Sequence, residues 1–351
     1  MYQNMESVIA SSNLPVLDLR SDTVTKPTAA MREAMHQAEV GDDIYGEDPS
    51  INKLEEYAAN LLGKESALFL PSSTMSNLLA MLAHTSRGDE IILGADYHIN
   101  AHEAGGSSIV GGTFPCQLPL ADDGGLDPAL IEAAIKPDDS HYPPSRVLSL
   151  ENTVSGQAVP MARINSCLDV ADKHGLKKHL DGARFFNAIN KLGIAPTDLA
   201  ARFDTINICL SKGLGAPVGA VLVGDAKTIK KARRDRKFLG GGMRQAGILA
   251  AAGLFAFQNN IERLQEDHDR AAKLAAALRQ LPNLNVTHQD NQTNMVFINP
   301  TEQDAEPLRA HLAARGINIA GGTDVRMVIH LEIDDDGLER IIDGFSSYFQ
   351  N

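Results

Sequence analysis

The most informative segment of the chain is Asn207-Ile-Cys-Leu-Ser-Lys-Gly-Leu-Gly-Ala-Pro-Val-Gly219, in which an apolar, strand-like run leads directly to a lysine among small residues. Lys212 is flanked by Ser211, Gly213 and Gly215, so the backbone around it can approach a bound group closely. A partly desolvated lysine lowers its pKa and attacks carbonyl groups. The segment therefore indicates Schiff-base chemistry, with a solvated loop lysine as the alternative if nothing else in the chain supports it.

Support comes from the earlier segment His179-Leu-Asp-Gly-Ala-Arg184, which follows a helix-like stretch ending near Gly175. Asp181 is expected at the carboxyl end of a strand. Ligands of open α/β sheets bind beyond these ends, so Asp181 and Lys212 would face one ligand from neighbouring strands. Pyridoxal phosphate needs such a pair, a lysine and a carboxylate that keeps its pyridine nitrogen protonated. An aspartate alone would be read as a helix cap or turn former.

A phosphate site is expected in Ala67-Leu-Phe-Leu-Pro-Ser-Ser-Thr-Met-Ser-Asn77, which reads as a strand, a hydroxyl-rich turn and the start of a helix running to about His84. Free N–H groups and the positive end of the helix dipole favour a phosphate at this point. Ordinary N-capping by Ser72, Ser73 and Thr74 is the alternative. With Lys212 and Asp181 in place, phosphate binding is the better interpretation.

The order of elements predicts an α/β fold with a mostly parallel seven-stranded sheet wrapped by helices. One helix is predicted after Asp48-Pro49-Ser50, because apolar residues recur at helical spacing from Ile51 to Leu62 and Gly63 follows. The predicted strands lie near 66–70, 90–93, 109–113, 146–150, 177–180, 205–210 and 219–223.

Three regions are expected along the chain: a mobile leader at 1–13, a large domain at 14–255, and a linking helix with a small C-terminal α+β domain at 256–351. The Ala-rich stretch 245–281 predicts long helical structure between the two domains. The small domain is predicted to contain strands near 294–298 and 325–332 and helices near 305–315 and 335–349.

Composition excludes several classes of protein. The chain has 351 residues, 43% of them apolar, enough for a substantial core, and its net charge of −13 argues against nucleic-acid binding. The basic run 227–237 reads as a solvated helix face or a subunit contact. The 3 cysteines are widely spaced, with neither a CxxC pair nor a secretory signal, which predicts reduced thiols in a soluble cytoplasmic protein without membrane spans.

Four motifs together resemble the L-threonine aldolase family: Leu19-Arg-Ser-Asp-Thr-Val-Thr-Lys-Pro-Thr28, Glu39-Val-Gly-Asp-Asp-Ile-Tyr-Gly-Glu-Asp-Pro49, the Lys212 segment, and Leu239-Gly-Gly-Gly-Met-Arg-Gln-Ala-Gly247. The likeness covers nearly the whole chain from about residue 17. It implies the type I fold of pyridoxal phosphate-dependent transferases. It also implies an aldehyde-lyase that cleaves L-threonine, L-allo-threonine and related β-hydroxy-α-amino acids to glycine and an aldehyde, as a homotetramer.

The resemblance implies that Lys212 binds the cofactor covalently, that Asp181 pairs with the pyridine nitrogen, and that His98 stacks on the ring. The full set expected at the cofactor is Ser72, Ser73, Thr74, His98, Asp181, Arg184, Lys212 and Arg244. The family often has a glycine where this chain has Ser73, so a position requiring positive φ would force the phosphate loop to adjust.

The resemblance also implies a substrate site, in which Ser21, Arg184 and Arg326 hold the substrate carboxylate, and the guanidinium groups suit a bidentate contact. Tyr45 and Arg244 would reach the site from a neighbouring subunit, and His141 would lie near the substrate hydroxyl. His98 and His141 are both candidates for the base that removes the hydroxyl proton. The sequence does not choose between them.

Other interpretations remain open. His98 and His102 lie four residues apart beside Glu103, but the HExxH order is absent and no metal is predicted. Another pyridoxal-phosphate lyase or a transaminase would share the lysine, the aspartate and the phosphate turn. A catalytically silent binding protein of the same fold is the rival from a different class.

Overall fold

The computed structural model describes residues 15–350, so the predicted leader at 1–13 lies outside the described residues. The chain divides into two compact units. The larger unit is Pro27–Ile261, and the other is formed by residues 15–26 together with 262–350. Nowhere in 15–350 does a helix have the length and apolar content needed to cross a membrane.

The strands of both units, in chain order, are β1 (Leu17–Asp18), β2 (Ser66–Leu70), β3 (Glu90–Gly94), β4 (Phe114–Leu118), β5 (Ser145–Glu151), β6 (Lys177–Gly182), β7 (Thr205–Cys209), β8 (Ala220–Gly224), β9 (Asn285–Thr287), β10 (Met295–Asn299), β11 (Ile317–Asn318) and β12 (Val325–Val328).

The helices are α1 (Ala29–His36), α2 (Pro49–Leu62), α3 (Ser73–His84), α4 (His98–Ala101), α5 (Gly106–Gly111), α6 (Pro128–Ala134), α7 (Met161–His174), α8 (Phe185–Leu192), α9 (Pro196–Ala200), α10 (Ala226–Phe238), α11 (Gly247–Asn259), α12 (Leu264–Leu278), α13 (Ala305–Ala313) and α14 (Asp335–Phe349). Short 3-10 turns occupy Asp22–Val24 and Asp43–Tyr45.

The larger unit is built on a seven-stranded sheet with the order β2-β8-β7-β6-β5-β3-β4. The strands from β7 to β4 pair in parallel, while β8 runs antiparallel to both of its neighbours. Strands β3, β7 and β8 are buried along their whole length, as expected for a sheet covered on both faces. The predicted mostly parallel seven-stranded sheet is confirmed.

Helix α2 follows the local rules that predicted it. The Asp48 carboxylate accepts hydrogen bonds from the N–H groups of Ser50 and Ile51, and Gly63 ends the helix in the left-handed region at φ 63°. Between these ends the stripe that begins at Ile51 and Leu54 is buried. The first residue, the buried face and the last residue of α2 therefore agree with the prediction from the sequence.

The strand predicted near 109–113 is wrong. Residues 106–111 form the surface helix α5, which Gly112 ends at φ 66°, and Ile109 is 75% exposed. The strand instead follows as β4, at the edge of the sheet. It carries Pro115 and mostly exposed side chains, so it lacks the apolar run that marks an interior strand.

The smaller unit contains an antiparallel sheet of order β12-β10-β9 and a parallel pair between β1 and β11. This pairing places residues 15–26 with the C-terminal unit, whereas the sequence placed them with the large domain. The Ala-rich stretch predicted as long helical structure is two helices, α11 and α12, which belong to different units.

The basic run at 227–237 lies in α10, but it is not only a solvated face. Arg236 is 2% exposed and forms an ion pair with Asp43, which is 4% exposed. Its guanidinium also donates to the carbonyl of Phe69 at 2.9 Å. The arginine thereby ties α10 to β2 and to the turn at Asp43–Tyr45.

This buried pair leads to a prediction for stability. Among the described residues, Arg236→Met would leave the buried Asp43 carboxylate with the more distant Arg233 guanidinium, 3.7 Å away, as its remaining cationic partner. Breaking one side of a buried pair costs about 3–5 kcal/mol, so we expect a decrease of that order in the free energy of unfolding, measured by urea denaturation. The control is Arg234→Met on the same helix, where the side chain is exposed. Equal stability of the two variants would contradict the prediction.

Candidate active site

The carboxyl ends of three neighbouring parallel strands carry the charged groups of the site. Asp181 lies near the end of β6, in register with Glu151 at the end of β5 and with Asn207 on β7. The loop that follows β7 carries Lys212. This is the edge at which ligands bind in open α/β sheets.

Asp181 is 1% exposed, and three donors hold its carboxylate. Oδ1 accepts from Nδ2 of Asn207 at 2.9 Å and from the N–H of Ala183 at 3.0 Å, and Oδ2 accepts from Nδ2 of Asn77 at 2.8 Å. Two carboxylate oxygens together offer about four acceptor positions. One position on Oδ2 thus remains for a donor such as a protonated pyridine nitrogen.

The loop carrying Lys212 joins β7 to β8 by a tight return. Leu210 donates its N–H to the carbonyl of Gly219 at 2.9 Å, and Gly215 donates to the carbonyl of Lys212 at 2.8 Å. Gly219 has φ 107°, and a Cβ there would approach Cε2 of Phe69 to 2.7 Å. Only glycine suits that position, so the sequence at this point fixes the path of the loop beyond the lysine.

Glu151 links the lysine to the other charged groups. Burial raises the pKa of this carboxyl to about 8, and the Asp181 carboxylate adds to the rise, while the charges of Lys212 and Arg184 lower it. The backbone N–H of His98 donates to Oε2 of Glu151 at 2.7 Å. Lys212, Arg184 and Asp181 therefore act electrostatically on one carboxyl group, to which the backbone of His98 also bonds.

The ring of His98 is oriented by a buried carboxylate. Nδ1 of His98 lies 2.9 Å from Oε1 of Glu103, which also accepts from Nδ2 of Asn77 at 2.8 Å. One atom from each of His98, Glu103 and Asp181 lies within 4.8 Å of the others. The histidine partner is therefore Glu103, while the ring of His102 lies 5.6 Å away, centroid to centroid.

The first turn of α3 fits a phosphate. Ser72 caps the helix by accepting from the N–H of Met75 at 3.2 Å. Oγ of Ser73 is buried without a hydrogen-bond partner among residues 15–350, and Thr74 is exposed beside it. Ser73 is the first helical residue and is not among the residues with positive φ, so the loop needs no adjustment for the missing glycine. An orphaned hydroxyl at a helix N-terminus suits an anionic oxygen.

Three predicted residues, His141, Tyr45 and Arg244, have exposed side chains. The His141 side chain is 83% exposed, and its Nδ1 lies 2.6 Å from Oδ1 of Asp139. Tyr45 is 74% exposed. Arg244 donates to Oδ2 of Asp42 at 2.9 Å, next to the turn that carries Tyr45.

Ser21 and Arg326 belong to the smaller unit. The Ser21 hydroxyl is occupied by Thr23, whose N–H and Oγ1 donate to it at 3.2 and 2.9 Å. Arg326 lies on β12, opposite Phe297 of β10, and its Nη2 donates to the carbonyl of Arg20 at 3.3 Å. These contacts join the segment after β1 to the antiparallel sheet within that unit.

Several residues of the site received no role from the sequence. They are polar, buried or half-buried, and they bond to Asp181, to His98 or to Asn77: Asn77, Glu103, Glu151, His179 and Asn207. A signal existed for one of them. Asn207 is a polar residue inside the short apolar strand β7, and a buried polar group needs a partner.

The fold and this edge of the sheet define a class. A mostly parallel sheet whose carboxyl edge carries a lysine loop, a buried aspartate and a phosphate-suited helix start is typical of type I pyridoxal-phosphate enzymes. A family model described as beta-eliminating lyase matches residues 18–301. The structure is similar to an SPT with PLP as internal aldimine, with a TM-score of 0.75, 16% identity, and coverage of 97% of this chain and 92% of the other.

Similar proteins identify the family within this class of pyridoxal-phosphate enzymes. A low specificity L-threonine aldolase of Escherichia coli (strain K12) is 46% identical over 326 residues, which cover 93% of this chain and 97% of the relative. A Leishmania major threonine aldolase structure has a TM-score of 0.82 at 20% identity, covering 95% of this chain and 99% of the other. The chain belongs to the beta-eliminating lyase family and, within it, to the low-specificity L-threonine aldolases.

Proposed function

We propose that this chain is an aldehyde-lyase that cleaves L-threonine, L-allo-threonine and related β-hydroxy-α-amino acids to glycine and an aldehyde. The observation that carries the proposal is the arrangement at the sheet edge, with Asp181 held by three donors beside the loop of Lys212. The 46% identical relative named for this activity supports it.

The cofactor is pyridoxal phosphate. When bound, it supplies an electron sink for the electron pair released as the Cα–Cβ bond breaks. Lys212 would hold it through its amine, Asp181 would keep the pyridine nitrogen protonated through the remaining acceptor position of Oδ2, and Ser72, Ser73 and Thr74 would bind the phosphate. His98 would stack on the ring, and Arg244 would complete the phosphate contacts from a neighbouring subunit.

The substrate would be oriented by its carboxylate. The Arg184 guanidinium lies at the start of α8 and acts on the same carboxyl group, Glu151, as Lys212. Together with Arg326 and Ser21 it would grip the carboxylate in a bidentate manner, with Tyr45 contributing from a neighbouring subunit. Fixing the carboxylate selects which bond of Cα stands perpendicular to the ring and hence which bond breaks.

The proton of the β-hydroxyl must be removed as the bond breaks. We propose His98 for this step, because Nδ1–H is donated to Glu103, which leaves the lone pair of Nε2 as the basic position. The proton moves from the hydroxyl oxygen to Nε2, the aldehyde leaves, and a proton returned to Cα completes glycine. His141 remains the alternative base.

The two histidines differ enough in position to be separated by substitution. We expect His98→Gln to lower kcat for L-threonine by about 10²-fold, since general bases contribute at least that much. We expect His141→Gln to lower kcat by less than about tenfold, because this ring is exposed and bonds to Asp139. Steady-state kinetics at fixed pH provide the test. A larger loss in His141→Gln would assign the base to His141.

The proposed reaction is tested by its products. Purified protein is given pyridoxal phosphate and then L-threonine or L-allo-threonine, while glycine and acetaldehyde are quantified. Equal amounts of the two products from either substrate are expected, and the ratio of rates reports stereochemical tolerance. Cofactor absorbance without either product would contradict the proposal.

A second candidate is β-elimination, which the name of the matching family model favours. A β-eliminating enzyme or a transaminase would form a keto acid, whereas the aldol cleavage forms none. Keto-acid formation without glycine would therefore favour these rivals. A silent binding protein would form no product at all.

We also propose that the enzyme is a cytoplasmic homotetramer with sites completed by neighbouring subunits. Tyr45 at 74% exposure and Phe238 at 72% are large surface side chains of the kind that subunit contacts cover. Light scattering on the purified protein measures the assembly.

A further inference from the structure

A continuous chain of hydrogen bonds leads from Asp181 through Asn77, His179 and Thr205 to His84. Asn77 donates to Asp181 at 2.8 Å, and Oδ1 of Asn77 lies 3.1 Å from Nε2 of His179. Nδ1 of His179 lies 2.9 Å from Oγ1 of Thr205, which lies 2.9 Å from Nε2 of His84. Asn77, His179 and Thr205 are each 0% exposed.

Strands β6 and β7 and helix α3 supply the residues of this hydrogen-bond chain. His179 pairs with Thr205, and Asp181 pairs with Asn207, in the parallel register of β6 and β7. Because side chains two residues apart share a face of a strand, His179 and Asp181 both point toward the same covering layer. Helix α3 supplies that layer, since Asn77 and His84 lie seven residues apart and hence on one side of the helix.

The hydrogen positions in this hydrogen-bond chain follow from the contacts of Asn77 at one end. Nδ2 of Asn77 donates one hydrogen to Asp181 and the other to Glu103, so Oδ1 must accept. His179 therefore donates from Nε2, and its Nδ1 accepts. Thr205 in turn donates its hydroxyl hydrogen to Nδ1 and accepts from Nε2 of His84. The four side-chain contacts from Asp181 to His84 are thus compatible with a single assignment of donors and acceptors.

Burial supports the neutral state that this assignment requires. It lowers the pKa of His179 to about 3 and that of His84 to about 4, because both rings are removed from water. Neutral imidazole has one donor and one acceptor, which is what the chain uses. Both rings therefore keep this neutral form at neutral pH.

We infer that His179 is a positioning residue of the proposed reaction, which fixes the amide of Asn77 and through it the carboxylate of Asp181 against the cofactor's ring nitrogen. If His179 cannot donate, Oδ1 of Asn77 loses this partner in a buried position, and the amide is held only through Nδ2, by Asp181 and Glu103. The inference rests on the proposed function, because it presumes the pairing of Asp181 with that nitrogen. Asn77 also holds Glu103, so the same amide orients the partner of His98.

The test compares two cofactors that differ at one atom. Full-length protein, freed of cofactor, is titrated with pyridoxal phosphate and with its 1-deaza analogue, in which carbon replaces the ring nitrogen. The ratio of the two dissociation constants measures the preference for the nitrogen. A residue that acts through Asp181 changes this ratio, while a residue needed only for packing weakens both cofactors by the same factor.

We expect His179→Leu to reduce the preference for pyridoxal phosphate by about five- to tenfold, the effect of one buried hydrogen bond. His179→Gln retains a donor and should restore much of it. Thr205→Val removes the donor to Nδ1 with little change of shape and should reduce the preference by about twofold or more, even if His179→Leu does not fold. His174→Gln is the control, since that ring bonds Glu132 at 2.8 Å on another surface.

Asp181→Asn separates the role of His179 from the pairing of Asp181 with the ring nitrogen. If Asp181→Asn lowers the preference but His179→Leu and Thr205→Val leave it at the wild-type value, the role of His179 is overturned and that of Asp181 stands. If Asp181→Asn itself leaves the preference unchanged, the pairing of Asp181 with the nitrogen fails, and the inference fails with it.

Discussion

Lys212→Ala should abolish turnover of L-threonine, with a decrease in kcat of at least about three orders of magnitude, on the scale seen when a covalent catalytic residue is removed. The reason is that the amine supplies the only covalent attachment proposed for the cofactor, and alanine offers no nucleophile. The cofactor absorbance that depends on this attachment should disappear as well. Visible spectra and product formation measure the two effects.

Two controls separate the amine from its charge and from lysines in general. Lys212→Arg keeps a cation at the end of β7 but cannot attack the cofactor aldehyde, so we expect it to be as inactive as Lys212→Ala. Lys191→Ala changes an exposed lysine on α8 and should retain wild-type kcat. Full activity of Lys212→Ala would remove this lysine from the chemistry.

Asp181→Asn is expected to lower kcat by about two to three orders of magnitude, comparable to removing one preorganised electrostatic group from an active site. The amide has nearly the shape of the carboxylate, but it carries no charge to keep the ring nitrogen protonated. It also brings a donor that competes with the amides of Asn77 and Asn207, which lie 2.8 and 2.9 Å from the carboxylate oxygens. Steady-state kinetics with saturating cofactor provide the measurement.

Two control variants test whether the loss in Asp181→Asn comes from the charge and from this particular position. Asp181→Glu keeps the charge on a longer side chain and should retain more activity than Asp181→Asn. Asp138→Asn removes an exposed aspartate and should leave kcat unchanged. If Asp181→Asn retains kcat within about twofold of the wild-type value, the carboxylate is not needed for the chemistry.

Much of the fold was predictable because local rules and the global fold agree. Strand β2 and helices α2 and α14 were predicted within one or two residues of their observed bounds, since each has a clear apolar pattern or clear start and stop residues. The failure near 109–113 has the opposite cause. The β-branched residues Ile109 and Val110 are typical of strands but lie on the surface helix α5. The observed edge strand β4 has no apolar run.

The sequence predicted the main charged residues of the site but not the side chains that hold them. Lys212 and Asp181 stood out because charged residues at the ends of apolar runs are chemically conspicuous. Asn77 was part of the predicted phosphate turn, yet its side chain serves Asp181 and Glu103. That contact joins α3 to β6, which are far apart in sequence, and no local pattern contains it. Strand register decides such contacts, as it does for His179 and Thr205.

The most direct test of this account is to locate the covalent attachment of the cofactor. The holoenzyme is reduced with borohydride, which makes the attachment permanent, then digested and mapped by mass spectrometry. The account predicts one modified peptide, carrying pyridoxyl phosphate on Lys212, and no modification of the Lys212→Ala variant. Modification of another lysine, or reduction without any labelled peptide, would contradict it.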